Sequence, residues 1–380
     1  EYGFPESHAA SFALLVYASA WVKCHYPDVF ATSLLNAQPM GFYAPAEIVR
    51  DAEEHGVEAR PPDINHSAWD NALEEAPTQG RLHARHAGQR ADLRTTQALR
   101  LGFRQIDGLR EDDMQRLVAA RGRGYDSVRD LWLRGGLAPA TIEALAEADA
   151  FRSLGLDRRD ALWAARGLNR VGGQEDLPLF AEQPADPTRE ADFALPAMPL
   201  GEQVVEDYRT LRLSLKTHPL ALLRGELDRR KVIPSERLES VKDGARVRVA
   251  GLVLVRQRPG TASGVIFMTL QDETHVANVV VWPRVFEMFR AEVLGARLCG
   301  VEGKVQSESG VIHVIADRIE DLSPLLARLS AEPFVNPLTP ADEARRPPAP
   351  DIRGHPRNLR HDLSYAEAAA RAMPKGRNFQ

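Results

Sequence analysis

Cysteine is nearly absent: Cys24 and Cys299 are the only two in 380 residues and lie far apart in the sequence. That spacing excludes a disulfide framework and a cysteine-ligated zinc site, and it fits a protein of the reducing cytoplasm. Lysine is scarce too, six of the 48 basic residues. Arginine is therefore a compositional habit of the chain and has to be judged by clustering. No run approaches the roughly 20 uninterrupted apolar residues of a membrane span. Also missing are a GxxxxGK[ST] phosphate loop, HExxH, CxxC and a GxSxG elbow. His83 and His86 form one close histidine pair, which surface histidines explain better than a metal does. Glu53-Glu54 and Asp112-Asp113 are adjacent on helices, so their carboxylates diverge. No catalytic residue and no metal ligand set is expected within the chain. What is present is ordinary globular composition, 44% hydrophobic and 27% charged with a net charge of −5, long enough for two or three cores.

The chain opens at Glu1 without Met or a signal-peptide pattern. Its first residues read as mid-domain sequence, so a C-terminal piece of a longer polypeptide is expected. Residues 8–38 are apolar at helical spacing, with Phe12, Leu15, Val16 and Val22 on one face until Pro27 breaks the run. A second helix is expected from Asp28 as N-cap, and a third from Pro45 to about Gly56. A short strand, a proline-stiffened turn and a loop follow. The polar stretch 76–90 reads as a boundary. Beyond it come short helices separated by glycine turns, among them a helix, the turn Ile106-Asp107-Gly108-Leu109 and a second helix. A related turn holds Gly135-Gly136-Leu137. Between Arg81 and Arg134 there are 12 Arg against 7 acids, whereas 174–207 carries nine acids and one base and reads as a linker. From about 243 to 322 the apolar period changes to two. Five strand candidates, with a helical insert (PRVFEMFRAEVLG) between the third and fourth, give the layout of an OB barrel.

Two patterns point to nucleic acid. In a helix-hairpin-helix unit, an apolar-x-Gly-apolar turn presents backbone amides beside a helix N-terminus, where a phosphate oxygen is held without base readout. Gly108, Leu109 and Gly136 occupy such turns, with Arg110 and Arg116 positioned to add a salt-sensitive contribution. A glycine C-cap in an all-helical packing domain is the alternative for Gly108. OB barrels bind single strands with a basic groove and stacking side chains. Phe267 and Trp282, flanked by Arg256, Arg258, Lys304 and His313, fit that face, and Phe267 fits a core position equally well. A third pattern is the peptide Gln174-Glu-Asp-Leu-Pro-Leu-Phe180. With Leu177, Leu179 and Phe180 it resembles the bacterial sliding-clamp peptide Gln-Leu-x-Leu-Phe. Asp176 stands where the glutamine belongs, and Gln174 comes two residues early; docking of these apolar residues on their own protein is the alternative.

These features, in this order, resemble the C-terminal portion of a bacterial C-family DNA polymerase. Tyr2-Gly-Phe-Pro-Glu-Ser-His-Ala-Ala-Ser-Phe12 and Lys23-Cys-His-Tyr-Pro27 are similar to that family's fingers signature. Gln38-Pro-Met-Gly-Phe-Tyr43, Arg60-Pro-Pro-Asp-Ile-Asn65, Ala98-Leu-Arg-Leu-Gly102 and Pro374-Lys-Gly-Arg-Asn-Phe379 resemble its error-prone, damage-induced branch. The resemblance implies a multidomain α+β chain. Its parts are 1–80, the C-terminal part of the polymerase fingers; 91–170, a tandem helix-hairpin-helix domain; 171–205, an acidic linker; 206–240, a helical connector; 241–322, a five-stranded OB barrel; and 323–380, a mobile tail. It implies a DNA-directed DNA polymerase of translesion synthesis and induced mutagenesis, with the palm carboxylates and their Mg²⁺ outside this chain. His8 and Lys23 become candidates for contacts to the incoming triphosphate or template. The implied partners are primer-template DNA, single-stranded template, the sliding clamp and a Y-family-like accessory protein, with no membrane. The apolar tail helix LSYAEAAARAM is a candidate docking segment. A non-catalytic DNA-binding protein built from the same hairpin and OB modules stays open as the alternative.

Overall fold

The computed structural model describes residues 6–40, 43–76, 80–168, 195–259, 262–308, 310–330 and 377–379. They form two compact units, divided between Met198 and Pro199. The clamp-like peptide at 174–180 and the tail helix lie outside the described residues.

The first unit begins with α1 (Glu6–His25), α2 (Pro27–Asn36) and α3 (Pro45–Glu54). Pro27 sits at the first helical position of α2, where its missing N–H is harmless. Asp28 is thus one residue inside the helix rather than its N-cap. It is buried, and its carboxylate accepts from the Val29 amide and from Thr95 and Gln97 on the approach to β3. The inward face expected for α1 is turned out: Phe12, Leu15 and Val16 are exposed, and Leu14 and Tyr17 reach 70% and 72% exposure. At about 100° per residue, these five positions surround the axis, so α1 is apolar on every side.

β1 (Ala59–Arg60), β2 (Ala72–Glu75) and β3 (Gln97–Arg100) make a sheet in the order β1-β3-β2, parallel then antiparallel. The stretch 76–90 lies within the connection from β2 to β3. Residues 72–75, expected as loop, are therefore a strand. Arg60 and Arg100 face each other in register, and Glu74 binds both, at 2.8 and 2.9 Å. Glu58 also binds Arg60 at 2.9 Å, so two carboxylates offset two guanidiniums there. After β3 the chain makes a 3-10 turn (Phe103–Gln105), not the helix expected before Gly108. β3 pairing and the buried Leu99, Leu101 and Phe103 override local helix propensity. Four helices close the unit: α4 (Glu111–Ala120), α5 (Val128–Gly135), α6 (Pro139–Glu147) and α7 (Arg158–Gly167).

The second unit opens with α8 (Leu200–Thr210) and α9 (Pro219–Arg229). Its barrel consists of β4 (Arg246–Gln257), β5 (Ile266–Gln271), β6 (Val276–Val281), β7 (Leu298–Glu308) and β8 (Val311–Asp321), matching the five expected strands. Short helices α10 (Pro283–Met288) and α11 (Arg290–Gly295) fill the interval before β7. β4 pairs with β7 in its first half and with β5 in its second, while β6 and β8 pair in parallel, so the sheet closes. Alternate residues such as Val249, Leu270, Val279, Val301 and Val314 fill the interior. A second cluster packs α8, α9 and the 3-10 turn Ser323–Leu329 onto Ala250, Leu252 and Leu298. A last strand, β9 (Arg377–Phe379), runs parallel to β4.

Candidate nucleic-acid interface

The first glycine turn has the expected backbone. Gly108 has φ +84°, Ile106 is buried, and a Cβ placed on Gly108 would meet nothing within 4 Å. The glycine is there for its conformation, and the turn opens outward. Arg110 is the exposed N-cap of α4 and supplies no side-chain cap. The next three residues, however, are Glu111, Asp112 and Asp113. Three carboxylates in a first turn stabilise a helix through its dipole, and by the same field they repel a phosphate. Arg116 is paired with Asp113, three residues back, so it offsets one of them rather than projecting alone.

The second turn is a true helix-turn-helix. Gly136 closes α5 in the left-handed region (φ 57°, ψ 33°), its amide donating to the Trp132 carbonyl at 3.1 Å. Leu137 is buried and Pro139 opens α6, whose first turn holds no acid. A Cβ on Gly136 would again meet open space. Of the two turns, the second presents its amides in the less negative field.

Part of the arginine of this segment is engaged within the fold. Arg134 donates to the carbonyls of Ala120, Arg121 and Gly124 and to Asp130, and lies 4.7 Å from the Tyr125 ring centroid. Arg104 binds Asp70 and the Asn36 and Gln38 carbonyls. Arg121 reaches the Ser67 carbonyl, and burial lowers its pKa. Arg81, Arg90, Arg94, Arg110 and Arg123 are exposed, without an ion-pair partner among the described residues.

On the barrel, register fixes which side chains share the outer surface, because directly paired residues point the same way. Gln257, Phe267, Val280, Ile315, Lys304 and Arg246 form one outward row across β4, β5, β6, β8, β7 and back to β4. Val255, Thr269, Asn278, His313 and Gln306 form the next. Phe267, Lys304 and His313 thus lie on one surface, with Phe267 and Lys304 exposed and His313 half-buried. Trp282, 52% exposed, is the N-cap of α10. Arg256 is a correction. It is buried, and its guanidinium donates to the Val293 carbonyl at 2.6 Å and to the Ala296 carbonyl, tying β4 to the end of α11. Its neighbour Arg258 is exposed, 5.5 Å from the Phe286 ring centroid, and Arg290 stands at 5.4 Å from the same ring. Arg284 and Arg290 were missed from sequence because they sit on the helical insert rather than on strands. Both are exposed, and neither has an ion-pair partner among the described residues.

In the helical start, His8 lies tilted against Phe12 with ring centroids 4.4 Å apart. The Lys23 ammonium is 2.9 Å from Asp51, so it joins α1 to α3.

With this geometry in place, likenesses to known proteins acquire a structural meaning. A family described as helix-hairpin-helix motif matches residues 56–161, and one described as OB-fold nucleic acid binding domain matches 247–322. Error-prone DNA polymerase 1 of Rhizobium meliloti (strain 1021) is 54% identical over all of this chain and 35% of its own length. The error-prone DNA polymerase of Mesorhizobium japonicum is 55% identical, with the same coverage. The chain is homologous to error-prone DNA polymerases. It spans about a third of the length of these relatives. Among solved structures, an asparaginyl-tRNA synthetase from Pyrococcus horikoshii is 30% identical over 21% of this chain and 20% of its own, with a TM-score of 0.19.

The strings that resembled the error-prone branch have structural work. Asp63 accepts from the Asn65 and Ser153 amides, and the Asn65 side chain accepts from the Tyr125 amide at 2.6 Å while donating to the Tyr125 carbonyl. Residues 60–65 therefore lash the sheet to the hairpin helices. Gly102 ends Ala98-Leu-Arg-Leu-Gly because a Cβ there would stand 2.4 Å from the Asp70 carbonyl carbon. Among the described residues, no helix is long and apolar enough to cross a membrane.

Proposed function

We propose that this chain is the DNA-holding C-terminal portion of an error-prone DNA polymerase that works in translesion synthesis and damage-induced mutagenesis. The observation that carries this reading is identity of 54% across the whole chain with a protein named for that activity. The two nucleic-acid modules agree with it. The hairpin turns offer amides to duplex phosphates, and the outer barrel surface around Phe267, Trp282, Lys304 and Arg258 offers stacking and charge to single-stranded template. His8 and Lys23 are assigned to the incoming triphosphate or template, Lys23 exchanging Asp51 for phosphate.

Nucleotidyl transfer by such an enzyme uses Mg²⁺ to offset charge on the reacting phosphates. Among the described residues, no group of three or more His, Cys, Asp or Glu converges to hold a metal. The reading assigns the bond-making carboxylates to polypeptide beyond this chain. It places the protein in the cytoplasm, with residues 174–180 offered to the sliding clamp and a Y-family-like protein as accessory.

The test is binding of labelled primed template, followed by fluorescence anisotropy across a salt series. Affinity should fall steeply as salt rises, and Mg²⁺ with all four dNTPs should give no extension. Templated extension by the chain alone, or indifference to oligonucleotides at low ionic strength, overturns the reading.

A further inference from the structure

The barrel's sheet continues past the five strands that close it. β7 covers one edge of β4 from Arg246 to Leu252 and pairs no further. β5 holds the opposite edge through Gln257. Beyond Leu252, the edge that β7 leaves is taken by β9, with Val255 opposite Arg377, Arg256 opposite Asn378 and Gln257 opposite Phe379.

We propose that this edge of β4, at Val255–Gln257, is a strand-docking site whose ligand is the segment Arg377–Phe379 of the same chain. The physical need is local. Leu252-Val-Leu-Val255 is an aliphatic run of high strand propensity, and an uncovered edge there would present unpaired amides and carbonyls as a template for other chains. Recognition is by main-chain hydrogen bonding, as when a peptide adds a strand to a sheet edge. The 46 residues from 331 to 376 supply ample reach, since an extended chain spans about 3.3 Å per residue. While docked, Phe379 lies opposite Gln257, which shares its row with Phe267, and the segment 377–379 is withheld from other partners.

Paired cysteines in the full chain test this. Opposed strands lie about 4.8 Å apart, inside the roughly 4.4–6.8 Å Cα separation that a disulfide accepts. Cys24→Ser removes the half-buried native thiol. Cys299 stays silent, because burial pushes its thiol up to about 12. Under mild oxidation, Val255→Cys with Arg377→Cys should cross-link within one chain. Val255→Cys with Phe379→Cys, two residues out of register, should react at least tenfold more slowly. Independently, deleting residues 377–380 should speed hydrogen exchange at one or more amides of Val255–Gln257 at least tenfold, and a peptide of residues 374–380 added in excess should restore protection. Equal cross-linking in both registers, a product of twice the chain mass, or exchange unchanged by the deletion overturns the proposal. Oligonucleotide binding is a separate readout: its loss would remove the proposed function and leave the docked strand standing.

Discussion

The hairpin region and the barrel divide their arginines between framework and surface in different ways. Between Arg81 and Arg134 the arginines are abundant, yet Arg104, Arg116, Arg121 and Arg134 are tied to carboxylates or carbonyls of their own unit. What faces outward there is the backbone at Gly108 and Gly136 together with Arg81, Arg90, Arg94, Arg110 and Arg123. In the barrel Arg256 and Asp272 are buried as framework, while Arg258 and Arg290 stand exposed over Phe286 and Arg284 is exposed on the same helical insert. A count of arginines in a sequence therefore overstates the positive surface they make. What decides it is whether an acceptor lies within reach.

The largest effect expected from breaking this contrast is at Asp272. Burial alone would raise its pKa, but donation from the amides of His275, Ser235 and Thr274 and from the Thr274 hydroxyl outweighs it and holds the carboxyl below its ordinary value. Asp272→Asn should cost roughly 3 kcal/mol, in the range for a buried, multiply bonded charge, read by urea unfolding. A depressed carboxyl contributes stability above its unfolded pKa and loses it as pH falls through the folded one. The acid limb of the wild-type stability curve should accordingly flatten in the variant.

Arg134→Ala comes next. Losing a strut that holds the end of α4 should cost about 2 kcal/mol of stability, while affinity for duplex DNA per folded molecule stays within twofold. A larger drop in affinity would place Arg134 on the DNA and erase the contrast. Trp282→Ala should weaken binding of an unstructured oligonucleotide by about 1–2 kcal/mol and leave duplex binding unchanged, measured by anisotropy. The smallest effect is expected at α4. Glu111→Gln with Asp112→Asn should raise duplex affinity about threefold at low salt by relieving repulsion at the first turn, with no change for single strands. No gain would mean that the first turn does not meet phosphate.

The barrel was legible because its signal is periodic and local. Alternation in 246–257, 266–271 and 276–281 specifies both the strand and the side that faces inward. The glycine turns were legible because a positive φ at Gly108 and Gly136 leaves a residue-type mark. Asp28, Arg256 and residues 97–105 were not. Each is decided by something distant in sequence: the lead-in to β3, the carbonyls that end α11, and a sheet assembled from residues 59–60, 72–75 and 97–100. Arg256 and Arg258 differ by two positions, yet only the fold reveals which of them reaches water.

α1 carries one more consequence. A rod greasy on all sides has no orientation in which water is a good neighbour, so a polypeptide ending in it should self-associate and bind hydrophobic dyes. A version trimmed to start at Tyr26 would shed Phe12, Leu14, Leu15, Val16, Tyr17 and Trp21 together, and is the form to take into concentrated solution.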